Sequence, residues 1–235
     1  MKVIRNIITV LIITGHFPLF SQDDIDSTSA IIKNSDDPPL DAPLKIHPFS
    51  IRLSAGVPNP LTSELFRKRM IGIYEVNLSG NIRIGNYFYA GLGINNTLLS
   101  VSNRTKFAAH TKLQLYGGYL RIGYDKYHHA KMFSSIYLNT GYSKGFYTNV
   151  LNMSSNPHNL NVEMTFMQPT YSINFFSEDR VTLGFYGGYH FMVWNFDPNQ
   201  INLADAGVNI SKFKTSGNAS YWLIGLEMYI GLGKL

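Results

Sequence analysis

The chain has 235 residues and no cysteine, which excludes a disulfide framework, a thiolate nucleophile and a cysteine-based zinc site. Its hydrophobic share of 45% argues against a disordered chain and against a helical membrane protein, and its length suits one large β domain or two small ones. The net charge of +5 is unevenly spread, because residues 23–46 are acidic and the rest of the chain is basic.

The first 22 residues have the organisation of a secretory signal peptide. Lys2 and Arg5 precede an apolar run over residues 7–13, and a cleavage site is expected at the end of the segment. The apolar run is too short to span a bilayer, although an uncleaved anchor is the alternative. Residues 23–47 are acidic, rich in proline and without periodicity, which is typical of a flexible tether, here on the periplasmic side.

From residue 48 onward, apolar and polar residues alternate in one segment after another, with the period of two that is typical of β-strands. The eight segments are FSIRLSAG, YEVNLSGNIRI, YFYAGLGINNTLL, TKLQLYGGYLRIGY, MFSSIYLNTGYS, VEMTFMQPTYSINFF, VTLGFYGGYHFMVW and YWLIGLEMYIGL. In the fourth segment the alternation changes phase at Gly117 and Gly118, which predicts a β-bulge.

The connections between these segments alternate in length. Short ones (GN, DKYHHAK and SEDR) follow the second, fourth and sixth segments, and long ones follow the others. An up-and-down meander places all short turns at one end and all long loops at the other, as in outer-membrane barrels. In hydrocarbon every backbone group must pair, so the last strand must close on the first. The sequence therefore predicts an all-β fold, an eight-stranded antiparallel up-and-down transmembrane β-barrel over residues 48–235.

The last segment has two rows that are expected to face different surroundings. Its polar row, with Tyr221, Glu227 and Tyr229, is expected to face the lumen. The apolar row, expected to face lipid, holds Trp222, Ile224, Leu226, Met228, Ile230 and Leu232. Two aromatic bands are expected at the membrane interfaces, one near the short turns (Phe49, Tyr87, Phe88, Tyr124, Phe133, Phe175, Phe176) and one near the long loops (Tyr74, Tyr142, Phe166, Phe191, Trp194, Trp222).

These features resemble small outer-membrane β-barrels of Bacteroidota-type bacteria and, more broadly, OmpA-, OmpX- and PorT-like eight-stranded barrels. The resemblance covers residues 48–235 and extends to the signal peptide ending in Phe-Ser-Gln and to the acidic tether. A terminal assembly signal of the form Gly-x-x-Φ-x-Φ is matched loosely by Gly225, Met228 and Ile230, although the sequence ends in leucine rather than an aromatic residue. The resemblance implies a bacterial outer-membrane location and contact with the assembly machinery, with membrane lipid and with other envelope proteins.

The polar rows of the predicted strands carry residues that are expected to face the lumen. They are Arg52, Glu75, Arg83, Lys112, Gln114, Arg121 and Glu227, a set with a positive surplus. Eight strands leave an interior that side chains just fill, so a plug of paired charges and amides is expected. A narrow ion path is the alternative.

A lipid-modifying barrel enzyme would need a nucleophile with a base in hydrogen-bond reach. Neither His110 nor His190 is followed by a serine two residues later on the same face, so no catalytic residue is assigned. The adjacent His128 and His129 would point apart on a strand, so no metal site and no cofactor are expected.

The long loops are basic, and their cations are candidates for contact with the phosphates of lipopolysaccharide. They are Arg67, Lys68, Arg69, Arg104, Lys106, Lys212 and Lys214. A solvated surface is the alternative. Nucleic acid is not expected as a partner, because the chain is exported and its charges sit on separate loops.

The leading functional hypothesis is a non-enzymatic integral outer-membrane protein, structural or accessory to an envelope or secretion assembly. The alternative is a surface binding or adhesion protein that acts through the long basic loops. A lipid-modifying enzyme comes third. A soluble periplasmic ligand-binding barrel would need an oily lumen and a polar exterior, and the charge distribution argues against it.

Overall fold

The computed structural model describes residues 47–62, 64–101, 112–129, 132–148, 161–176, 180–195 and 218–233. Among these residues, no helix is long and apolar enough to cross a membrane. The predicted signal peptide lies outside them, as does the predicted tether except for His47.

The described residues form eight strands and one short helix. The strands are β1 (Phe49–Pro60), β2 (Met70–Ile84), β3 (Phe88–Val101), β4 (Lys112–His129), β5 (Met132–Thr148), β6 (Asn161–Phe176), β7 (Val181–Asn195) and β8 (Asn218–Leu232). The helix, α1 (Glu64–Arg69), lies in the first long connection. The strands form a closed antiparallel barrel in sequence order, which confirms the predicted fold class and strand number.

The barrel closes where β8 pairs with β1. All 12 residues of β1 have a partner in β8, starting with Phe49 opposite Leu232. His47, just before β1, is buried, and its Nδ1 lies 2.8 Å from the carbonyl oxygen of Gly233, just after β8. The closing seam is therefore held by the backbone ladder and, at the turn side, by a side-chain contact between the two ends of the sheet.

The outer surface of the barrel is a belt of exposed apolar side chains. In β8, Ile224 is 73% exposed and Leu226 61%, whereas Leu223, which precedes them, and Glu227, which follows them, are buried. The other strands repeat this pattern, with Phe88, Leu92, Ile94, Leu120, Ile122 and Phe185 among the exposed residues. Apolar surface on this scale faces lipid rather than water. The apolar row of β8 points outward, as predicted.

The lumen has two chemically different halves. On the turn side it holds polar and charged residues. Phe66 of α1 packs edge-on against Trp194 on the loop side, with ring centroids 6.3 Å apart, so the helix contributes to the packing there. The loop side is filled by an apolar cluster that includes Phe66, Met70, Leu99, Val101, Leu113, Leu115, Val162, Met164, Phe166, Met192 and Trp194.

The predicted β-bulge at Gly117 and Gly118 is wrong, and the two halves of the lumen explain the change of phase that suggested it. The register of β4 with both β3 and β5 is continuous through the two glycines. Leu113 and Leu115 point into the apolar half of the lumen, whereas Leu120 points to lipid. The apolar residues of β4 therefore change rows without any change of register.

Two further expectations need correction. The stretch predicted as the turn after the fourth segment, residues 125–131, lies mostly in β4, which ends at His129. Phe133, Phe166 and Trp194, assigned to the interface bands, are buried in the lumen. Exposed aromatic residues of the two bands are Phe49, Tyr87, Phe88 and Phe175 on the turn side, and Tyr142 and Trp222 on the loop side.

Inward-facing glycines make room for large side chains in this narrow lumen. Gly93 lies opposite Tyr119, and a Cβ on Gly93 would lie 2.5 Å from the Tyr119 hydroxyl oxygen. Gly123 lies opposite Tyr89 in the same way, and a Cβ there would meet the tyrosine ring. A glycine beside each ring lets a small barrel hold bulky lumen residues.

We expect Gly93→Ala to lower the free energy of unfolding by about 1–3 kcal/mol, the usual cost of overpacking an interior. The matched control is Gly80→Ala, because a methyl group on the outward-facing Gly80 would meet nothing within 4 Å. Urea unfolding of both variants in lipid vesicles measures the difference. Equal stability would show that the space over Gly93 is not needed by Tyr119.

Candidate functional site

Five of the seven predicted lumen residues lie in the interior and two do not. Lys112 and Gln114 instead occupy the outward row of β4, where Lys112 is exposed and Gln114 is half-buried. Leu113 and Leu115 take the inward positions there, because this half of the lumen is apolar. The five interior residues are Arg52, Glu75, Arg83, Arg121 and Glu227.

Arg52 forms a buried ion-pair cluster on the turn side. Its Nη2 lies 2.7 Å from Oδ1 of Asp125, and its Nη1 lies 3.3 Å from Oε1 of Glu227. All three side chains are at most 1% exposed. Charge-assisted hydrogen bonds of this kind are stronger than neutral ones, and the surrounding low dielectric strengthens them further.

Asp125 is shared between two arginines. Its Oδ2 lies 2.9 Å from Nη2 of Arg83, and the hydroxyl of Ser135 donates to its Oδ1. Asp125 is not among the predicted lumen residues, because it lies in the stretch predicted as a turn. The signal that could have found it is its position four residues after Arg121, on the same inward row.

Aromatic rings surround the Arg52 guanidinium. Its Cζ lies 4.3 Å from the ring centroid of Tyr89 and 5.2 Å from that of Tyr229. The rings of Tyr137 and Phe133 follow at 5.8 and 6.0 Å. These rings attract the cation through their faces and keep water away from the ion pairs.

Glu227 ties four strands together. Arg52 of β1 and Ser172 of β6 donate to its Oε1, the serine at 3.0 Å. The hydroxyl of Tyr137 in β5 donates to Oε2 at 2.7 Å. Glu227 itself is in β8, so its carboxylate links elements that are distant in sequence.

Glu75 is the centre of a second cluster, next to the apolar half of the lumen. Asn77 and Gln168 donate to its Oε1 at 3.0 and 2.8 Å. Thr97 donates to Oε2 at 3.1 Å, and the hydroxyl of Tyr221 donates to the same oxygen. Among the described residues, no arginine or lysine lies within ion-pair distance of Glu75, so neutral donors satisfy its oxygens.

Arg121 connects the two clusters. Its Nε donates to Asn139 at 2.7 Å, Asn139 donates to Gln168, and Gln168 donates to Glu75. Its guanidinium also lies 4.2 Å from the ring centroid of Tyr137, which belongs to the turn-side cluster. One polar network therefore runs from the turn side of the barrel to its middle.

The charges of this network balance in the part of the lumen that the structure describes. Three arginines are matched by three carboxylates. The expected positive surplus is therefore wrong for this part of the lumen, because Lys112 points outward and Asp125 points inward. The balanced set is Arg52, Arg83 and Arg121 with Glu75, Asp125 and Glu227.

His190 lies between two rings. Its imidazole stacks on Phe166 at 4.6 Å and on Tyr221 at 4.5 Å, measured between centroids. Its Nδ1 is 3.7 Å from Oε2 of Glu75, too far for a hydrogen bond. His110 lies outside the described residues. Within those residues, no group of three His, Asp or Glu could hold a metal ion.

The predicted lipopolysaccharide contacts fall only partly within the described residues. Arg67 and Lys68 are exposed on α1, and Arg69 is half-buried. Lys68 donates to Glu64 at 2.6 Å, and this hydrogen bond lowers the pKa of the Glu64 carboxyl. The candidates outside the described residues are Arg104, Lys106, Lys212 and Lys214.

Comparison with known proteins identifies the fold. No protein-family model matches the chain, and no curated protein matches it. Among solved structures, Neisserial surface protein A has a TM-score of 0.51 and 10% identity, over 78% of this chain and 97% of that chain. Ail, the attachment invasion locus protein of Yersinia pestis, has a TM-score of 0.43 and 10% identity, over 79% of this chain and 100% of that chain.

The likeness to Neisserial surface protein A is a likeness of fold, that of a small outer-membrane β-barrel. The apolar belt is an independent physical reason to place the barrel in a membrane, because a closed barrel with this exterior is stable in lipid and not in water. The chain is an integral β-barrel protein of the bacterial outer membrane.

Proposed function

We propose that this chain is a non-enzymatic barrel that serves as a structural or accessory subunit of an envelope or secretion assembly. The observation that carries the proposal is the filled lumen, with a charge-balanced network on the turn side and an apolar cluster on the loop side. Side chains that occupy the interior leave the wall, the turns and the loops as the surfaces available to partners.

Co-purification tests the proposal. The tagged chain is extracted from native membranes in mild detergent, with and without prior cross-linking, and the associated proteins are quantified by mass spectrometry. An accessory subunit brings down a defined set of envelope proteins in a constant ratio. Recovery of the chain alone under both conditions would contradict the accessory role.

We expect the purified protein to show no large, stable conductance in planar bilayers. The interior charges of an eight-stranded barrel are paired in little space, and an unpaired buried charge would be costly. The position of the described network and of the rings around Arg52 inside the lumen supports a plugged interior. A steady porin-like current from the unaltered protein would contradict the plugged lumen.

Glu227→Ala is the variant that separates a plug from a pore. It removes the acceptor of Arg52, Tyr137 and Ser172. A plug predicts a clear loss of stability in urea with little change in conductance. A pore lined by Glu227 predicts the opposite, a change of ion selectivity with little loss of stability.

Binding at the cell surface is the second candidate function. It is favoured by the exposed Arg67 and Lys68 on α1, in the first long connection. We infer that these cations, with those of the other long loops, contact phosphate groups such as those of lipopolysaccharide. Attachment assays with cells that display the wild type or an Arg67→Gln, Lys68→Gln variant test this role.

A lipid-modifying activity receives less support. His190 is held between two rings and lies outside hydrogen-bond distance of Glu75. This position does not suit a general base, which must reach the proton that it takes from a substrate. Incubation of the purified barrel with native lipid extracts, followed by lipid mass spectrometry, tests for such an activity.

We propose that residues 1–22 direct export and that residues 23–47 form a periplasmic tether. The basic start, the apolar run and the Phe-Ser-Gln ending support both this and a Bacteroidota-type source. Sequencing the first residues of the protein recovered from outer membranes tests the cleavage point.

A further inference from the structure

The outward rows of β4 and β5 change character towards the loop side. In the apolar belt, the β4 row carries Ile122 and Leu120, both well exposed. Beyond Gly118 the same row continues with Tyr116, Gln114 and Lys112. The row therefore passes from hydrocarbon side chains to an aromatic residue, an amide and a cation.

Strand pairing adds a second set of side chains beside this row. Tyr116 lies opposite Lys144 of β5, and Gln114 lies opposite Phe146. Tyr142 precedes Lys144 on the same outward row of β5. We call this surface the β4–β5 outer patch, formed by Lys112, Gln114, Tyr116, Tyr142, Lys144 and Phe146.

Three side chains of the patch contact one another. The rings of Tyr116 and Phe146 meet edge to face at 6.2 Å, and the Lys144 ammonium lies 5.7 Å from the Phe146 ring centroid. Glu163 of β6 lies opposite Lys144, but its carboxylate accepts a hydrogen bond from Tyr142. Among the described residues, no carboxylate lies within ion-pair distance of Lys144.

The position of the patch along the barrel determines what it can meet. Tyrosine is enriched at the level where hydrocarbon gives way to headgroups, and Tyr116 and Tyr142 are both 47% exposed there. The lysines lie beyond these tyrosines, towards the long loops. In a barrel whose short turns are periplasmic, this level is the headgroup layer of the outer leaflet.

We propose that the β4–β5 outer patch binds the phosphorylated sugar headgroup of an outer-leaflet lipid. The ammonium groups of Lys112 and Lys144 suit phosphate oxygens, and Gln114 suits sugar hydroxyls. The exposed tyrosine rings offer apolar faces to sugar rings. The proposal deepens the inferred phosphate contact of the loops and rests on the proposed orientation, with the long loops outside.

The continuity of the patch with the apolar belt identifies a lipid rather than a free glycan as the occupant. A membrane lipid bound here would place its acyl chains along Leu120 and Ile122, directly below the patch. A soluble sugar phosphate would gain nothing from that surface. The acyl chains therefore contribute contacts that hold the headgroup at the level of the lysines.

The test measures binding of purified rough-type lipopolysaccharide to the full-length barrel in phospholipid nanodiscs at physiological salt. Each ammonium near a charged membrane surface contributes about fivefold in affinity, so Lys112→Gln with Lys144→Gln should weaken binding about tenfold to thirtyfold. The matched control is Lys126→Gln, an exposed lysine on the same β4 row at the turn side, which should leave binding unchanged.

Two further arms keep the test decisive. The wild type should bind dephosphorylated lipopolysaccharide about as weakly as the double variant binds the intact lipid. If the wild type binds the intact and the dephosphorylated lipid equally well, the proposed role of phosphate is overturned. If the double variant loses the heat-modifiable mobility of a folded barrel, Tyr116→Ala, which keeps both lysines, takes its place and should also weaken binding. Wild-type affinity in the folded variant would overturn the proposal, as would an equal loss in Lys126→Gln. A normal, non-conducting barrel would in that case leave the proposed accessory function intact.

Discussion

Replacing Arg52 with methionine will lower the free energy of unfolding by about 3–5 kcal/mol, the usual cost of breaking a buried ion pair by removal of one partner. The change leaves Glu227 without its only described cation and Asp125 with Arg83 alone. It also removes the cation that lies beside the rings of Tyr89 and Tyr229. Urea titration in lipid vesicles, followed by tryptophan fluorescence, measures the loss.

Two controls separate the ion pair from general effects of the substitution. Lys126→Met removes an exposed cation from the same side of the barrel and should cost less than about 1 kcal/mol. Adding Glu227→Gln to Arg52→Met should recover part of the loss, because no unpaired charge then remains at that position. Asp125 keeps its pairing with Arg83 in Arg52→Met and in the double variant. A cost for Arg52→Met no greater than that of Lys126→Met would show that the network does not stabilise the barrel.

The fold could be predicted from the sequence because its determinants are local. Alternation with a period of two identifies each strand wherever one row faces lipid, and the lengths of the connections assign the two ends of the barrel. Closure of β8 on β1 then follows from the need to pair every backbone group in hydrocarbon. None of these steps requires knowledge of which strand residues touch across the lumen.

The facing of Lys112 and Gln114 could not be predicted in this way. Alternation shows that two rows differ, but it does not show whether the apolar row faces lipid or an apolar part of the lumen. In β4, Leu113 and Leu115 face the lumen and Leu120 faces lipid. The same pattern was therefore compatible with a bulge, and only the register with the neighbouring strands excludes it.

The lumen network was predictable as a set of charged residues but not as a set of contacts. Glu75 is held by Gln168 and Tyr221, whose positions depend on the register of β6 and β8 around the whole barrel. Asp125 was missed for a different reason. A polar stretch next to a turn looks like part of the turn, although the inward row of β4 stays polar towards its turn-side end, where Asp125 lies.

Introducing arginine in place of Leu226 will lower the free energy of unfolding by about 2–4 kcal/mol, the cost of a cation at the bilayer midplane on the lipid face of a barrel. Leu226 is well exposed on the outward row of β8, which runs from Trp222 to Leu232. At about 3.3 Å per residue and a tilt of about 40°, that row spans about 25 Å, the height of the apolar belt. Leu226 lies near its middle, where a guanidinium can reach neither headgroup layer without distorting the bilayer.

The depth dependence of this cost provides the control. Asn59 is exposed on β1 and lies opposite Trp222, at the loop-side end of the same row, so Asn59→Arg should cost only about 0–1 kcal/mol. Both variants carry the same new charge on adjacent strands, so the difference between them measures the surroundings rather than the residue. Urea titrations in vesicles give both values. If Leu226→Arg folds as stably as Asn59→Arg, the outward row of β8 faces water or another protein surface, and the lipid-facing assignment of this wall is wrong.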